Sequence, residues 1–168
     1  MSNKKSKKLI CIFAILTVIA GTMSGCANQT QIPFSDCKWT WTVENVTKAE
    51  GKPKEVYDSV YGGDTYTYDK KFMKYDGTIK YMFDENGSLA SVAWSYVDED
   101  EDNVMQFYKY LQNAEKRKHG KSEFSNTNDT AYGDVWHLDD CTVIITTLTV
   151  NGNSGLQYAY INKGYSKS

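Results

Sequence analysis

Residues 65–97 read TYTYDKKFMKYDGTIKYMFDENGSLASVAWSYV, and this stretch decides the fold. Apolar and polar residues alternate through it, which is the period-two pattern of half-buried strands. Asp-Gly and Asn-Gly pairs interrupt the alternation, and such pairs favour the tight turns of hairpins. The pattern therefore predicts strands at 65–75, 78–83 and 89–97, with turns at Asp76-Gly77 and at Asp84-Glu85-Asn86-Gly87.

A helix is predicted on each side of these strands. Apolar residues recur at helical spacing through residues 43–50, and Gly51-Lys52-Pro53 ends that helix. The longer helix is predicted at residues 103–119. Acids at 98–102 precede it and bases at 116–118 close it, which is the charge order that the helix dipole favours.

Three more strands are predicted after the second helix, at 131–138, 142–150 and 156–162. The middle one has apolar residues at both odd and even positions, which predicts a strand covered on both faces. Helix, three strands, helix, three strands is the order of a degenerate duplication. Because hairpin-length links force antiparallel pairing, the expected fold class is α+β, with one antiparallel β-sheet of about six strands and two helices packed on one face.

The N-terminus has the features of an export signal. Four lysines within the first eight residues precede an apolar run at 9–20, which is shorter than the roughly 20 residues of a membrane-spanning helix. Met23-Ser24-Gly25-Cys26 then resembles the lipobox of bacterial lipoproteins. The resemblance implies removal of residues 1–25 and attachment of diacylglycerol to Cys26, whose two acyl chains anchor stably. We therefore expect the protein on the extracytoplasmic face of the cell membrane.

The mature chain is predicted to be a short tether at 26–33, one domain at 34–164 and a tail at 165–168. Loss of the four signal lysines lowers the net charge from −2 to −6. Such an acidic domain is a poor match for nucleic acid. We expect an envelope protein or a cell-wall component as partner.

Two cysteines besides Cys26 remain after processing, Cys37 and Cys141. An exported location permits a disulfide between them, which would tie the start of the domain to a late strand. The alternative is two buried thiols that act as small hydrophobic residues. The sequence leaves both alternatives open.

Several fold-setting residues resemble those of a known type of domain. They are Trp39, Thr42, Glu44, Val46, Gly51-Lys52-Pro53, the stretch from Tyr81 to Asp84, Asn86-Gly87 and Leu89. Together they are similar to small export modules of the β-lactamase-inhibitor-like type, related in fold to the outer-membrane assembly lipoproteins of the SmpA/OmlA group. That family usually has Gly after the tryptophan, where this chain has Thr40. The resemblance implies a helix-plus-antiparallel-sheet domain that binds proteins or scaffolds an envelope assembly without catalysis.

His137, Asp139 and Cys141 are the candidates for chemistry, because alternate residues of a continuous strand share one face. A nucleophile with its base, or a metal site, could use that pattern. Alternate strand residues lie about 6.5 Å apart, beyond direct hydrogen bonding, and Asp139-Asp140 is predicted to be a turn. No G-x-S-x-G or H-E-x-x-H motif occurs in the sequence. These points disfavour catalysis, so a small hydrolase or metal-dependent enzyme built on His137 and nearby acids is kept only as the alternative function.

Asp98, Asp100 and Asp102 have the spacing found at the start of a calcium-binding loop. Asn103 and Lys109 stand where such a loop needs Gly and Glu. Acids are also common at the start of a helix. We therefore expect a solvated helix entry, and no metal or cofactor site is predicted.

The aromatic residues at alternate strand positions form either a core beneath the helices, which we expect for most of them, or an exposed binding face. Two helices cannot cover both faces of six strands, so one face should stay open, and exposed Tyr and Trp suit protein contacts. The candidate binding face consists of Trp94, Tyr96, Trp136, Tyr158 and Tyr160. The predicted function is a non-enzymatic, surface-tethered binding module, with a ligand-sensing accessory lipoprotein as a further alternative.

Overall fold

A computed structural model describes residues 29–127 and 131–166. The lipobox and Cys26 lie outside the described residues, so export and lipidation stay predictions. No helix in the described part is long and apolar enough to span a membrane. The elements in chain order are α1 Val43–Glu50, β1 Glu55–Asp58, β2 Gly62–Phe72, β3 Tyr75–Asp84, β4 Leu89–Asp98, α2 Glu101–His119, β5 Phe124–Thr127, β6 Ala131–His137, β7 Cys141–Val150 and β8 Asn153–Asn162.

One antiparallel sheet contains all eight strands, in the order β1-β2-β3-β4-β8-β7-β6-β5. Each half of the chain is a helix followed by four strands, and the halves join where β4 pairs with β8. The α+β class and the antiparallel sheet are confirmed, but six strands is wrong. The two added strands, β1 and β5, form the sheet edges, and each has only four residues. Every residue of β1 is exposed, so it lacks the alternation that marks a half-buried strand.

The helices agree closely with the sequence pattern. α1 has the predicted bounds and a capping box at Thr42. α2 begins two residues earlier than predicted, at Glu101, because the Asp100 carboxylate caps it by accepting a hydrogen bond from the Asp102 N–H. Acids at its start and bases at its end complement the helix dipole.

The predicted turn at Asp76-Gly77 is wrong. β2 and β3 turn at Met73 and Lys74 instead, and Gly77 pairs with Lys70 inside the sheet. Met73 supplies the positive φ, 55°, that the turn requires. Gly77 lies beneath the Trp94 indole, whose Nε1 donates to the Lys70 carbonyl at 2.8 Å. The glycine therefore serves close packing rather than chain reversal.

Both helices pack on the same face of the sheet, here called the covered face. α2 contributes Val104, Phe107 and Leu111 to the core, and α1 contributes Val46. Residues Ile32 and Phe34 also lie against this face, and the Phe34 ring is 5.3 Å from that of Tyr158. One hydrophobic core therefore lies beneath the two helices and the N-terminal segment.

Residues 29–33, which the sequence assigns to the tether, contact the folded domain. The Trp39 N–H donates to Gln29 Oε1 at 2.8 Å. The Asp140 carboxylate, between β6 and β7, accepts from the Thr30 N–H at 2.8 Å and from its hydroxyl at 2.5 Å. At the other end, the Tyr165 hydroxyl donates to Asp84 at 2.6 Å, so the predicted tail also begins within the fold.

β7 is not covered on both faces as predicted. Val143 and Ile145 are buried on the covered face. On the other face, Leu148 is 54% exposed and Val150 is 52% exposed. Both helices lie on the opposite side of the sheet, so the apolar residues of this second face meet solvent.

Candidate functional site: the open face of the sheet

Of the two alternatives for the aromatic residues, the structure has the core, and the exposed binding face is wrong. Trp94, Trp136, Tyr158 and Tyr160 are buried on the covered face, and Tyr96 is half-buried beside the Phe107 ring of α2. Large aromatic side chains gain most from leaving water. The helices therefore lie on the face that carries the aromatic side chains, and the face with smaller side chains stays open.

The open face consists of the alternate positions of each strand. Its centre, on β4 and β8, has small side chains, so the surface there lies close to the backbone of the sheet. This central region is called here the floor of the face. Its small residues are Ser91, Ala93, Ser95, Gly155 and Ala159, of which Ser91, Ala93 and Ala159 are buried and Ser95 and Gly155 are partly exposed. The sequence carried this signal as the strict alternation of small and large residues from 91 to 96.

A groove of about 720 Å³ lies on the open face over β1 to β4. Lys54 pairs with Asp69 at 2.7 Å, and Lys71 pairs with Asp76 at 3.3 Å. Lys80, half-buried in the same groove, has no ion pair among the described residues. Exposed ion pairs contribute at most about 1 kcal/mol each. Groups of a partner could therefore replace them at small cost.

An apolar patch lies where the two halves of the open face meet, and its Val97 also lines the groove. Val97 and Leu148 both pair with Gly155, from opposite sides, and are 67% and 54% exposed. Because Gly155 has no side chain, the two apolar side chains flank a gap in the sheet surface. Together with the groove, the patch gives this face one charged half and one apolar half.

Buried carboxylates on the covered face connect helices to the sheet. The Tyr81 hydroxyl donates to Glu50 at 2.7 Å, and the Tyr158 hydroxyl donates to Glu115 at 2.5 Å. Burial raises the pKa of both tyrosines, and the neighbouring carboxylates raise it further. These hydroxyls stay protonated and act as hydrogen-bond donors. The arrangement stabilises the packing of helices on the sheet.

Glu115 also lies beside two bases of α2. Its Oε1 accepts from Lys118 at 3.3 Å, and its Oε2 lies 3.2 Å from His119 Nε2. The His119 contact has ion-pair distance without hydrogen-bond geometry, so Oε2 lacks a true donor. Glu115 is therefore a paired structural carboxylate of the core.

His137, Asp139 and Cys141 do not form a cluster. His137 ends β6 and its Nδ1 lies 3.0 Å from the Thr142 hydroxyl. Asp139 is exposed in the turn, whereas Cys141 begins β7 and is buried. The turn at 138–140 breaks the strand, so alternate positions across it do not share a face.

Of the two alternatives for Cys37 and Cys141, the structure has two free and buried thiols. Burial raises the pKa of the Cys37 thiol to about 11 and that of the Cys141 thiol to about 12. Thiolates are the reactive form of cysteine. Both residues therefore behave as small hydrophobic groups of the core.

The acids at 98–102 form the entry of α2. Asp98 accepts hydrogen bonds from the Tyr96 hydroxyl and from the Asp100 N–H, and these bonds lower its pKa. Asp100 caps the helix. Within residues 29–127 and 131–166, no three His, Cys, Asp or Glu side chains are arranged to hold a metal ion.

Comparison of the chain with family models, with curated proteins and with solved structures returned no match. The fold and the face define a structural class: an α+β domain with an eight-stranded antiparallel sheet whose second face is open. The resemblance to β-lactamase-inhibitor-like and SmpA/OmlA-type domains stays a prediction from the sequence.

Proposed function

We propose that this chain is a lipoprotein anchored through Cys26 to the extracytoplasmic face of the cell membrane, and that it binds a segment of an envelope protein without catalysis. The anchor is supported by the sequence order of lysines, apolar run and lipobox. The binding role is carried by one observation, the groove of about 720 Å³ on the open face.

Antiparallel sheets commonly leave one face in water, so exposure alone does not indicate binding. The composition of this face is what supports the proposal. The charged groove at Lys71 and Asp76 adjoins the apolar pair Val97 and Leu148, and Val97 lines the groove. Apolar area bordered by polar groups is typical of protein contact sites.

The candidate reactive side chains of the domain support a binding role more than a catalytic one. The His137 ring lies within hydrogen-bond distance of a hydroxyl, that of Thr142. Both thiols are buried, with raised pKa values. A groove open along its length also suits an extended or protruding segment of a macromolecule better than an enclosed small molecule.

Site-specific photo-crosslinking on intact cells tests the binding role. A photoreactive residue at Ser95, on the groove floor, should yield an adduct with one envelope protein. The same residue at Asn113, exposed on α2, is the matched control and should yield none. Equal adducts at both positions, or cell-wall fragments in place of a protein, would contradict a protein-binding open face.

A charge-reversal pair tests the groove itself. Lys80→Glu should weaken capture of that partner by about tenfold or more, because reversed charge opposes the complementary group of the partner. Lys109→Glu reverses an exposed charge on α2 and should leave capture unchanged. Urea unfolding of both variants confirms that folding is retained. Equal capture by the two variants would exclude the groove as the site.

Mass spectrometry of the protein purified from membranes tests the anchor. The N-terminal peptide should begin at Cys26 and carry diacylglycerol. Cys26→Ser should release the protein from the membrane or leave it unprocessed. An unmodified Cys26 would overturn this part of the proposal.

A further inference from the structure

The N-terminal segment enters the fold at the C-terminal end of α2. Gln29 and Thr30 are held by Trp39 and Asp140. Thr30, Gln31 and Pro33 then form a cleft of about 450 Å³ with Lys118 and His119. The last turn of α2 is therefore the helical surface closest to the point where the chain enters.

The proposed anchor lies only a few residues before this point. Three Cα–Cα steps separate Cys26 from Gln29, and three residues reach at most about 10 Å. A domain held this closely cannot turn freely, because its entry point stays at the headgroup layer. The end of the domain around Thr30 and Lys118 must then lie beside the membrane.

Positive charge is concentrated at this end of the domain. α2 closes with Lys116, Arg117, Lys118 and His119, and Lys121 follows, a group called here the basic end. The acids at 98–102 lie at the other end of the same helix, about 27 Å away at a rise of about 1.5 Å per residue. The domain is acidic overall, yet it presents its cations where the anchor places the membrane.

Two acids close to the basic end, Glu115 and Asp140, are already engaged, whereas Glu123 and Asp139 are exposed. Glu115 is buried and accepts from Tyr158 and Lys118. Asp140 accepts from Thr30 and also from the Trp39 indole at 3.3 Å. Arg117 is exposed and has no ion pair among the described residues, so its charge is available to an external anion.

An apolar groove of about 400 Å³ adjoins the cleft and shares Pro33 and Lys118 with it. Met73, at the tip of the β2–β3 hairpin, and Tyr110 of α2 line this groove and are 52% and 48% exposed. Tyrosine is favoured at the boundary between headgroups and acyl chains. Exposed apolar residues beside cations are the combination that peripheral membrane surfaces use.

We propose that the basic end of α2, together with Met73 and Tyr110, rests on the anionic phospholipid headgroups of the membrane that holds the anchor. The inference rests on the proposed lipidation of Cys26. It assigns a second membrane contact to the protein and fixes the orientation of the domain. The open face lies on the other side of the sheet from α2, so it stays available to a partner.

Depth-dependent fluorescence quenching of the lipidated full-length protein in vesicles tests the orientation. A polarity-sensitive fluorophore is attached at Met73→Cys, or at Val97→Cys on the open face as the control position. Labelling is selective because Cys37 and Cys141 are buried. Spin-labelled lipid should quench the probe at 73 several-fold more than the probe at 97, in vesicles containing phosphatidylglycerol but not in pure phosphatidylcholine.

Neutralising the basic end should remove the preference. Each cation near an anionic surface is worth roughly fivefold in membrane partition, so Lys116→Gln with Arg117→Gln should weaken the preferred orientation roughly 25-fold. The matched control, Lys54→Gln with Lys71→Gln, removes two exposed lysines from the groove and should leave the quenching ratio unchanged.

The mass of the Cys26 peptide, measured on the same sample, separates this inference from the proposed function. Equal quenching at 73 and 97 with a lipidated Cys26 overturns the headgroup contact and leaves open-face binding intact. Equal quenching ratios in the two lipid mixtures overturn the role of charge, and with it the inference. An unmodified Cys26 overturns the anchor and therefore the inference as well.

Discussion

Gly77→Ala should destabilise the fold although it adds only one methyl group. A Cβ atom on Gly77 would lie 2.5 Å from Trp94 Cε2 and 2.5 Å from the Ser95 carbonyl oxygen. The Ser95 oxygen belongs to the neighbouring strand and cannot move alone. The indole would therefore have to shift, and its hydrogen bond from Nε1 to the Lys70 carbonyl at 2.8 Å would be strained or lost.

Two effects determine how much Gly77→Ala destabilises the fold. Overpacking of a dense core costs about 1–3 kcal/mol, and loss of one buried hydrogen bond costs about 1 kcal/mol more. We expect Gly77→Ala to lower the free energy of unfolding by about 2–4 kcal/mol. Urea unfolding followed by tryptophan fluorescence measures this quantity, since Trp94 is itself displaced.

Gly155→Ala is the matched control. Gly155 also lies in a strand of the same sheet, but its added Cβ would have its nearest neighbours at 3.8 and 3.9 Å, an ordinary contact distance. Its conformation suits alanine, so the variant should be neutral or more stable by up to about 1 kcal/mol. If the two variants differ by less than about 0.5 kcal/mol, close packing of Trp94 on Gly77 is not the reason for this glycine.

Two further predictions concern buried groups. Cys37 and Cys141 should react with a thiol reagent only after denaturation, and reducing agent should leave the urea midpoint unchanged; a midpoint lowered by reduction would indicate a disulfide. Burial raises the pKa of Asp140, but hydrogen bonds from Thr30 and Trp39 have the larger effect, so the pKa is lowered overall. Ionised Asp140 therefore stabilises the folded state above the unfolded pKa of about 3.9, and this stabilisation is lost as pH falls. Asp140→Asn should therefore lower the free energy of unfolding by about 1.5 kcal/mol at pH 7 and make acid unfolding less steep. An unchanged acid midpoint would show that Asp140 does not hold the N-terminal segment.

Local signals in the sequence were sufficient for the helices. Thr42 and Gly51 fix the ends of α1, and Gly120 ends α2, because caps and stops act within one turn. The edge strands β1 and β5 have no such signal. A strand of four residues forms only because β2 or β6 offers free hydrogen-bonding groups, and that is a property of the assembled sheet.

Asp76-Gly77 shows a different limit of local reasoning. Asp-Gly is a strong hairpin signal on its own, yet the chain turns earlier, at Met73 and Lys74. The Trp94 indole needs a residue without a side chain beneath it, and Trp94 comes 17 residues later in the sequence. A long-range packing requirement therefore overrides the turn preference.

The position of the open face follows from a physical criterion, although the alternation pattern alone does not give it. Alternation in residues 91–96 separates Val92, Trp94 and Tyr96 from three small residues, but alternation does not say which face the helices cover. The buried apolar area indicates which face the helices cover, because covering the aromatic face removes far more apolar surface from water. Judged by that criterion, the small-residue face is the one left open.

The two halves of the sheet are alike in topology but not in chemistry. The register runs without interruption from β4 to β8, with Ala93 opposite Ala159, so the open face is one continuous surface. The β1 to β4 half carries the charged groove, whereas Leu148 and Val150 make the β7 side apolar. A partner with charged groups at one end of its segment and apolar groups at the other would bind in one direction only. The repeated topology therefore forms a long surface, and the difference in charge between its halves would set the direction in which a partner segment binds.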